Sequence, residues 1–329
     1  MAQATIRDVA RQAAVSVASV SRVLNGHNNV QSDTRARVLA AVEQLGYVPH
    51  AGARSLSMAR AQAIGVVLPD LHGEFFSEIV RGMDREATRL GLQLLLSNMH
   101  ADVETAAQAL RAMRGRVDGL LIMAPHLERE ALMTALPKAV PAVLINCRTA
   151  IEGFPSLRID NAAGTRTMVR HLIDTGRRRI VHIAGPVGNM DADERRAAFV
   201  EAMRDFAGMA EPRILQGDFN EETGADAARA LLDEGLPVDA IFAGNDMMAI
   251  GALMPLREAG VDVPGRVAVA GFDDIPVARY LALTTMRVRI AEVGAHAVNQ
   301  LTQVLSGAPV ETITHLHTPE LVERATTAE

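Results

Sequence analysis

The sequence predicts an α-helical head with a helix-turn-helix arrangement, joined to a larger α/β body of two similar doubly wound halves. Three observations carry this. Up to Leu45, apolar residues recur three and four apart in short runs, which is helical spacing. From Ala63 onward, short apolar runs alternate with helical patterns, the mark of buried parallel strands with crossover helices. Between them lies Gly46-Tyr47-Val48-Pro49-His50-Ala51-Gly52-Ala53-Arg54-Ser55-Leu56-Ser57, which opens with a helix-stopping Gly and Pro and then turns helical again. At 329 residues, 49% hydrophobic and 22% charged, the chain exceeds one ordinary domain and can bury a large core.

In the head, Thr5 precedes Ile6, Val9, Ala10 and Ala13, with Asp8 at the third helical position, where a carboxylate favours the helix N-terminus. Ser16 caps a second helix that buries Val20, Val23 and Leu24 and ends at Asn25-Gly26. Gln31-Ser32-Asp33-Thr34 caps a third, running through Val38, Leu39, Ala41, Val42 and Leu45. With the first two helices joined so tightly, the second is placed to enter a DNA major groove. Val17, Ala18, Ser21 and Arg22 lie on its side away from the buried residues. Arg22 suits guanine N7 and O6, and the small apolar pair suits thymine methyls. The same spacing also fits an ordinary three-helix surface carrying one Arg.

Charge divides with the architecture. Residues 1–60 carry +4 and the remainder −10. A basic head on an acidic body suits a polyanion at the head, although such an imbalance is common on plain surfaces. The single Cys147 sits in an apolar run, which excludes an intramolecular disulfide and a four-cysteine metal cluster and fits a reducing compartment. The first residues lack the apolar core of a secretory signal, and no apolar run is long enough to span a bilayer. A cytoplasmic protein without a membrane is expected.

Three stretches then carry a resemblance: Thr5-Ile6-Arg7-Asp8-Val9-Ala10, Val15 to Asn25, and Thr34-Arg35 through Gly46-Tyr47-Val48-Pro49. They closely resemble the head of the lactose-repressor (LacI/GalR) family of bacterial transcription regulators. The resemblance implies that Thr5, Ser16, Asn25 and Asn29 contact phosphate or groove edges, and that positions 17, 18 and 22 set the operator sequence. It also places Tyr47 and His50 among the DNA-binding positions. Ala14 stands where the family usually has Gly, which strains the turn. For the segment after Pro49 the resemblance implies a hinge helix that forms on a palindromic operator and wedges Leu56 into a minor-groove step, with Ala53 on the same face and Arg54 on phosphate. Minor-groove proteins use such apolar wedges. Gly52 replaces a usual branched aliphatic and weakens that helix by about 1 kcal/mol relative to Ala; His50 replaces a usual Asn.

In the body, strands are expected at Ala63–Leu68, Gln93–Ser97, Gly119–Met123 and Ala142–Asn146, and then at Arg179–Ala184, Ile214–Gln216, Ala240–Ala243 and Val267–Gly271. Two such halves suggest a ligand held between lobes at the carboxyl ends of strands. The resemblance extends over nearly the whole chain and implies the two-lobed periplasmic-binding-protein-like type I fold. The domains are then 1–46 (helix-turn-helix), 47–61 (hinge) and 62–329 (ligand-binding). The N-lobe takes about 62–160 and 291–318, and the C-lobe about 161–287 and 321–329. Crossovers are expected near Arg158–Ala162, Thr285–Glu292 and Thr318–Val322.

Loops after strands carry the candidate ligand-binding residues. Phe75 and Phe76 follow the first strand in a chain with only 3% aromatics, and aromatic faces suit a sugar or a planar base. By resemblance, Asn146, Arg195, Phe219, Asn245 and Asp273 complete the set, with Asp246 capping the helix that follows it. Arg195 has the fork for paired hydroxyls or a carboxylate. For each, a helix cap or a lobe–lobe hydrogen bond is the rival reading. A sugar or sugar derivative is the favoured effector, with a purine or nucleoside second.

Arg177-Arg178-Arg179 reads as a solvated turn, and His315 and His317 alternate along an expected strand without neighbouring carboxylates, so no metal is expected. No nucleophile elbow or G-x-G-x-x-G after a strand is present, so neither catalysis nor a cofactor is expected. A homodimer matches a palindromic operator. These expectations amount to an effector-controlled transcription regulator, most often a repressor in this family. The alternative is a solute-binding or sugar-processing protein of the same body fold without a DNA function.

Overall fold

The computed structural model describes residues 4–25, 30–48, 60–100, 102–136, 140–209, 211–308 and 314–328. Asn29, His50, Ala53, Arg54 and Leu56, and with them Gly52, lie outside the described residues. The chain forms two compact units, residues 1–63 with 115–118, and residues 64–114 with 119–329.

The smaller unit contains α1 (Ile6–Gln12), α2 (Val17–Leu24) and α3 (Ser32–Leu45). Thr5 and Asp8 form a reciprocal capping box on α1, and Ser16 caps α2 by accepting the Ser19 N–H at 3.1 Å. Gln31 is the N-cap residue of α3 and makes no side-chain cap bond. The polar run Gln31–Thr34 therefore starts the helix without a side-chain cap. Val9, Ala13, Val20, Val23, Val38 and Ala41 form the buried core, and Tyr47 packs against it. Leu39 is 51% exposed, one step off the buried face. Ala14 holds the α1–α2 turn at φ 51°, a left-handed conformation whose Cβ strain glycine avoids.

In the larger unit, one sheet contains β1 (Ala63–Leu68), β2 (Gln93–Asn98), β3 (Gly119–Met123), β4 (Ala142–Ile145), β5 (Ser156–Ile159) and β11 (Thr314–His317), in the order β11-β5-β4-β3-β1-β2. A second contains β6 (Ile180–Ala184), β7 (Ile214–Gln216), β8 (Ala240–Ala243) and β9 (Ala268–Ala270), in the order β7-β6-β8-β9. β10 (Thr285–Arg287) pairs antiparallel with β12 (Glu320–Val322). The pairs β1–β3, β3–β4, β4–β5, β5–β11, β6–β7, β6–β8 and β8–β9 are parallel. Both sheets thus share the doubly wound order 2-1-3-4, whose switch point lies between the first and third strands.

β5 is a strand that was not among those expected. Ser156-Leu157-Arg158-Ile159 is a full strand of the first sheet before the chain leaves it, and Arg158 disguises it by reaching out to Glu194. Helices α4 (Glu74–Arg89), α5 (Val103–Met113), α6 (Arg129–Ala135) and α12 (Ile290–Leu305) accompany the first sheet. α7 (Asn161–Asp174), α8 (Met190–Ala207), α9 (Glu221–Asp233), α10 (Asp246–Glu258) and α11 (Pro276–Tyr280) accompany the second. The strands and the inner helix faces bury a core of Ile, Leu, Val, Met and Phe. α9 and α10 approach to backbone contact, since a Cβ on Gly224 or Gly251 would overlap the facing helix's carbonyl oxygen.

The arginine turn is exposed at Arg178 and Arg179, in line with the solvated reading, and is anchored as well. Arg177 donates to the Pro264 carbonyl at 2.7 Å, and Arg178 to that of Ile173 at 2.6 Å. His296 on α12 joins His315 and His317, its Nδ1 lying 3.3 Å from His317 Nε2. Among the described residues, no His, Cys, Asp or Glu group is arranged to hold a metal ion. Nor, among them, is any helix long and apolar enough to cross a membrane.

Candidate functional site

Loops at the carboxyl ends of the strands of both sheets enclose a cleft of about 350 Å³, within the range of small-molecule sites. The loop after β1 contributes Phe75 and Phe76 from the first turn of α4, with their rings edge to face and centroids 5.5 Å apart. Both line the cleft, and both pack against the core. Phe219 follows β7 with φ 75°, and Asn245 holds its carbonyl at 2.8 Å. A Cβ on Gly185 would overlap the Phe219 ring. Gly185→Ala is therefore expected to displace that ring and cost about 1–3 kcal/mol; unchanged urea denaturation would refute this.

Arg195, on α8, is 3% exposed and tied on every side. Its Nε donates to Asn161 Oδ1 at 2.8 Å and its Nη1 to the Gly244 carbonyl at 2.5 Å, while Nη2 lies 3.5 Å from Asp273 Oδ1. The guanidinium plane stands over the Phe272 ring at 3.8 Å. Asp273, after β9, is 4% exposed with φ 115°, a strained backbone of the kind found at ligand sites. Burial pushes its carboxyl up to about 7; Arg195 opposes this and Asp191 adds to it. Burial outweighs the Arg195 contact because the two groups meet at ion-pair distance without a hydrogen bond.

Asn245 lines the cleft, yet its side chain is committed to the protein. Its Oδ1 caps α10 by accepting the Met248 N–H at 3.0 Å. The cap reading thus belongs to Asn245 and not to Asp246. Asp246 is fully buried, accepting from Thr285 Oγ1 at 2.5 Å and from the Ile275 N–H at 2.9 Å. Its carboxyl is raised well above the usual range by burial and by Asp273.

Asn146 is absent from the lining. It lies one layer behind, donating to Asp191 at 3.3 Å and accepting the Ile159 N–H at 3.3 Å, because φ 44° turns its side chain inward after β4. Residues not anticipated from the sequence take part instead. Asp191 and Asn189 line the cleft at the start of α8, and His126 lines it after β3. Asn189 caps α8 and meets His126 at 3.2 Å; Asp191 accepts from Asn161 at 2.8 Å. A usable signal existed for Asp191, which precedes Arg195 by four residues and so shares its helix face.

On the smaller unit, Val17, Ala18 and Arg22 are exposed along α2. Ser16 and Thr5 are caps, and Asn25 ends α2 with its amide on Ser21 Oγ at 3.3 Å, which leaves Ser21 half-buried. Tyr47 is half-buried against the core of the unit.

Residues 61–320 match the model of periplasmic binding proteins and the sugar-binding domain of the LacI family, and residues 5–50 match that of bacterial regulatory proteins of the lacI family. The chain is 36% identical to the HTH-type transcriptional regulator GalS of Salmonella typhimurium over 328 residues, covering 98% of this chain and 96% of the relative. It is 35% identical to the HTH-type transcriptional repressor PurR of Salmonella paratyphi B over 333 residues, covering 99% and 97%. The lac repressor dimer bound to operator and the anti-inducer ONPF superposes with a TM-score of 0.88 at 29% identity, over 100% of both chains. A helix-turn-helix head, a two-lobed body and these likenesses along the full length make the chain a member of the LacI family, a DNA-binding transcriptional regulator under effector control.

Proposed function

We propose that the chain acts in the cytoplasm as a homodimeric repressor of a palindromic operator, that a sugar or sugar derivative bound in the cleft controls it, and that it has no enzymatic activity. The observation that supports this best is the cleft, which lies at the strand ends of both sheets and is lined by buried, strained Asp273 beside Arg195. The Asp273 carboxylate, with the Nη2 end of Arg195 beside it, suits ring hydroxyls. Phe75, Phe76 and Phe219 offer apolar faces to a ring. An effector that prefers one degree of lobe closure shifts the population toward it, and operator affinity follows.

Val17, Ala18 and Arg22 are proposed to read bases, with Thr5, Ser16, Ser21 and Asn25 on phosphate or groove edges. Tyr47 is proposed to sit near the DNA backbone, and Asn29, His50, Ala53, Arg54 and Leu56 to make groove and hinge contacts. Arg22→Ala is expected to weaken the preferred operator by about 1–3 kcal/mol and to relax selectivity at one base pair. Gel shifts with single-base operator variants at fixed salt check this; a uniform loss across all variants would reassign Arg22 to phosphate.

A further inference from the structure

The cleft is acidic beyond what its guanidinium offsets. Asp70, Glu74, Asp218 and Glu221 are exposed at its mouth, and Asp191 and Asp273 are buried within. Among the described lining residues Arg195 is the one Lys or Arg; its Nε and Nη1 donate to Asn161 and the Gly244 carbonyl, and its Nη2 faces Asp273 at 3.5 Å. Burial, and then Arg148, lower the His126 pKa, against Asp193. Asp191 has two amide partners, Asn146 and Asn161. Asp273 differs from it: its side chain is 5% exposed, it lines the cleft, and its buried Oδ1 has no hydrogen-bond partner among the described residues.

We infer that the effector presents a protonated amine beside its hydroxyls, as an amino sugar does, and that Asp273 receives the amine. This rests on the reading of the cleft as a sugar effector site. An ammonium brings donors and a positive charge to a buried carboxylate that lacks a hydrogen bond. A neutral hydroxyl supplies the donor and leaves the charge to Arg195 alone, at 3.5 Å. A phosphate or carboxylate meets acidic groups at every depth, and the one guanidinium in the lining already faces Asp273.

Calorimetry on the full chain near pH 7.5 tests this with glucosamine, galactosamine and mannosamine, each against its parent hexose and its hexose 6-phosphate. At least one amine is expected to bind about tenfold or more tightly than its parent, with the 6-phosphates weakest. Asp273→Asn is expected to reduce that preference below about threefold, and circular dichroism confirms that the variant is folded. Equal or tighter binding of the parent hexose overturns the amine inference and leaves the sugar reading standing. Tightest binding of a 6-phosphate also overturns it. If none of the probes binds, the amine inference and the sugar reading fall together.

Discussion

Arg195→Ala is expected to destabilise the larger unit by about 3–5 kcal/mol, the usual cost of removing one partner from a buried charged network. The guanidinium bridges Asn161 on α7, the carbonyl of Gly244 after β8 and Asp273 after β9. Its loss leaves that carbonyl and the Asn161 oxygen without their donor, removes the cation shared by Asp191 and Asp273, and uncovers the Phe272 face. Urea denaturation at pH 7 measures the cost, and a loss under about 1 kcal/mol would show that the network behaves as a solvated surface pair. Arg195→Lys is expected to recover only part, since an ammonium lacks the planar fork that spans separate acceptors.

Asp273→Asn is expected to stabilise the protein in a pH-dependent way. The folded carboxyl lies at about 7 against an ordinary 3.8, so between those values the folded state holds a proton that the unfolded state has released. Stability therefore falls as pH rises through that window. The carboxylate costs stability above it, by at most about 4 kcal/mol for a shift of this size. Raised Asp246 acts in the same direction, and removal of the Asp273 charge relieves it. The amide variant should match the parent near pH 4 and exceed it by a few kcal/mol near pH 8, followed by urea midpoints at both pH values. Parallel stability curves would mean that Arg195 neutralises Asp273 fully. A ligand site that holds such a charge at a cost to stability is a familiar trade.

The head was legible because its signals are local. Thr5 with Asp8, Ser16 with Ser19 and the spacing of Val20 and Val23 are relations within one helical turn. The same holds for β1, β3, β6 and β8, whose apolar runs need only be buried. β5 escaped because Arg158 breaks its apolar run, and only the pairing of Glu194 from α8 shows where that side chain goes. The cleft was partly legible: Phe75, Phe76, Arg195, Phe219, Asn245 and Asp273 all line it. Asn146 was drawn into that set by the family resemblance, and backbone geometry turned it behind Asp191.

By itself, the sequence determined the family, the division into head and body, and the winding of most strands, since periodicity, caps and turn residues act over a few neighbours. Tertiary structure decided which polar side chains are satisfied by protein. Asn245 is spent on a cap and on the Phe219 carbonyl, Asp246 on Thr285 and the chain at Ile275, and Asp191 on two amides, while Asp273 keeps a buried oxygen without a hydrogen bond. Those partners come from segments dozens of residues apart. A carboxylate's charge state and availability depend on burial and on groups that only the folded chain brings within a few ångströms.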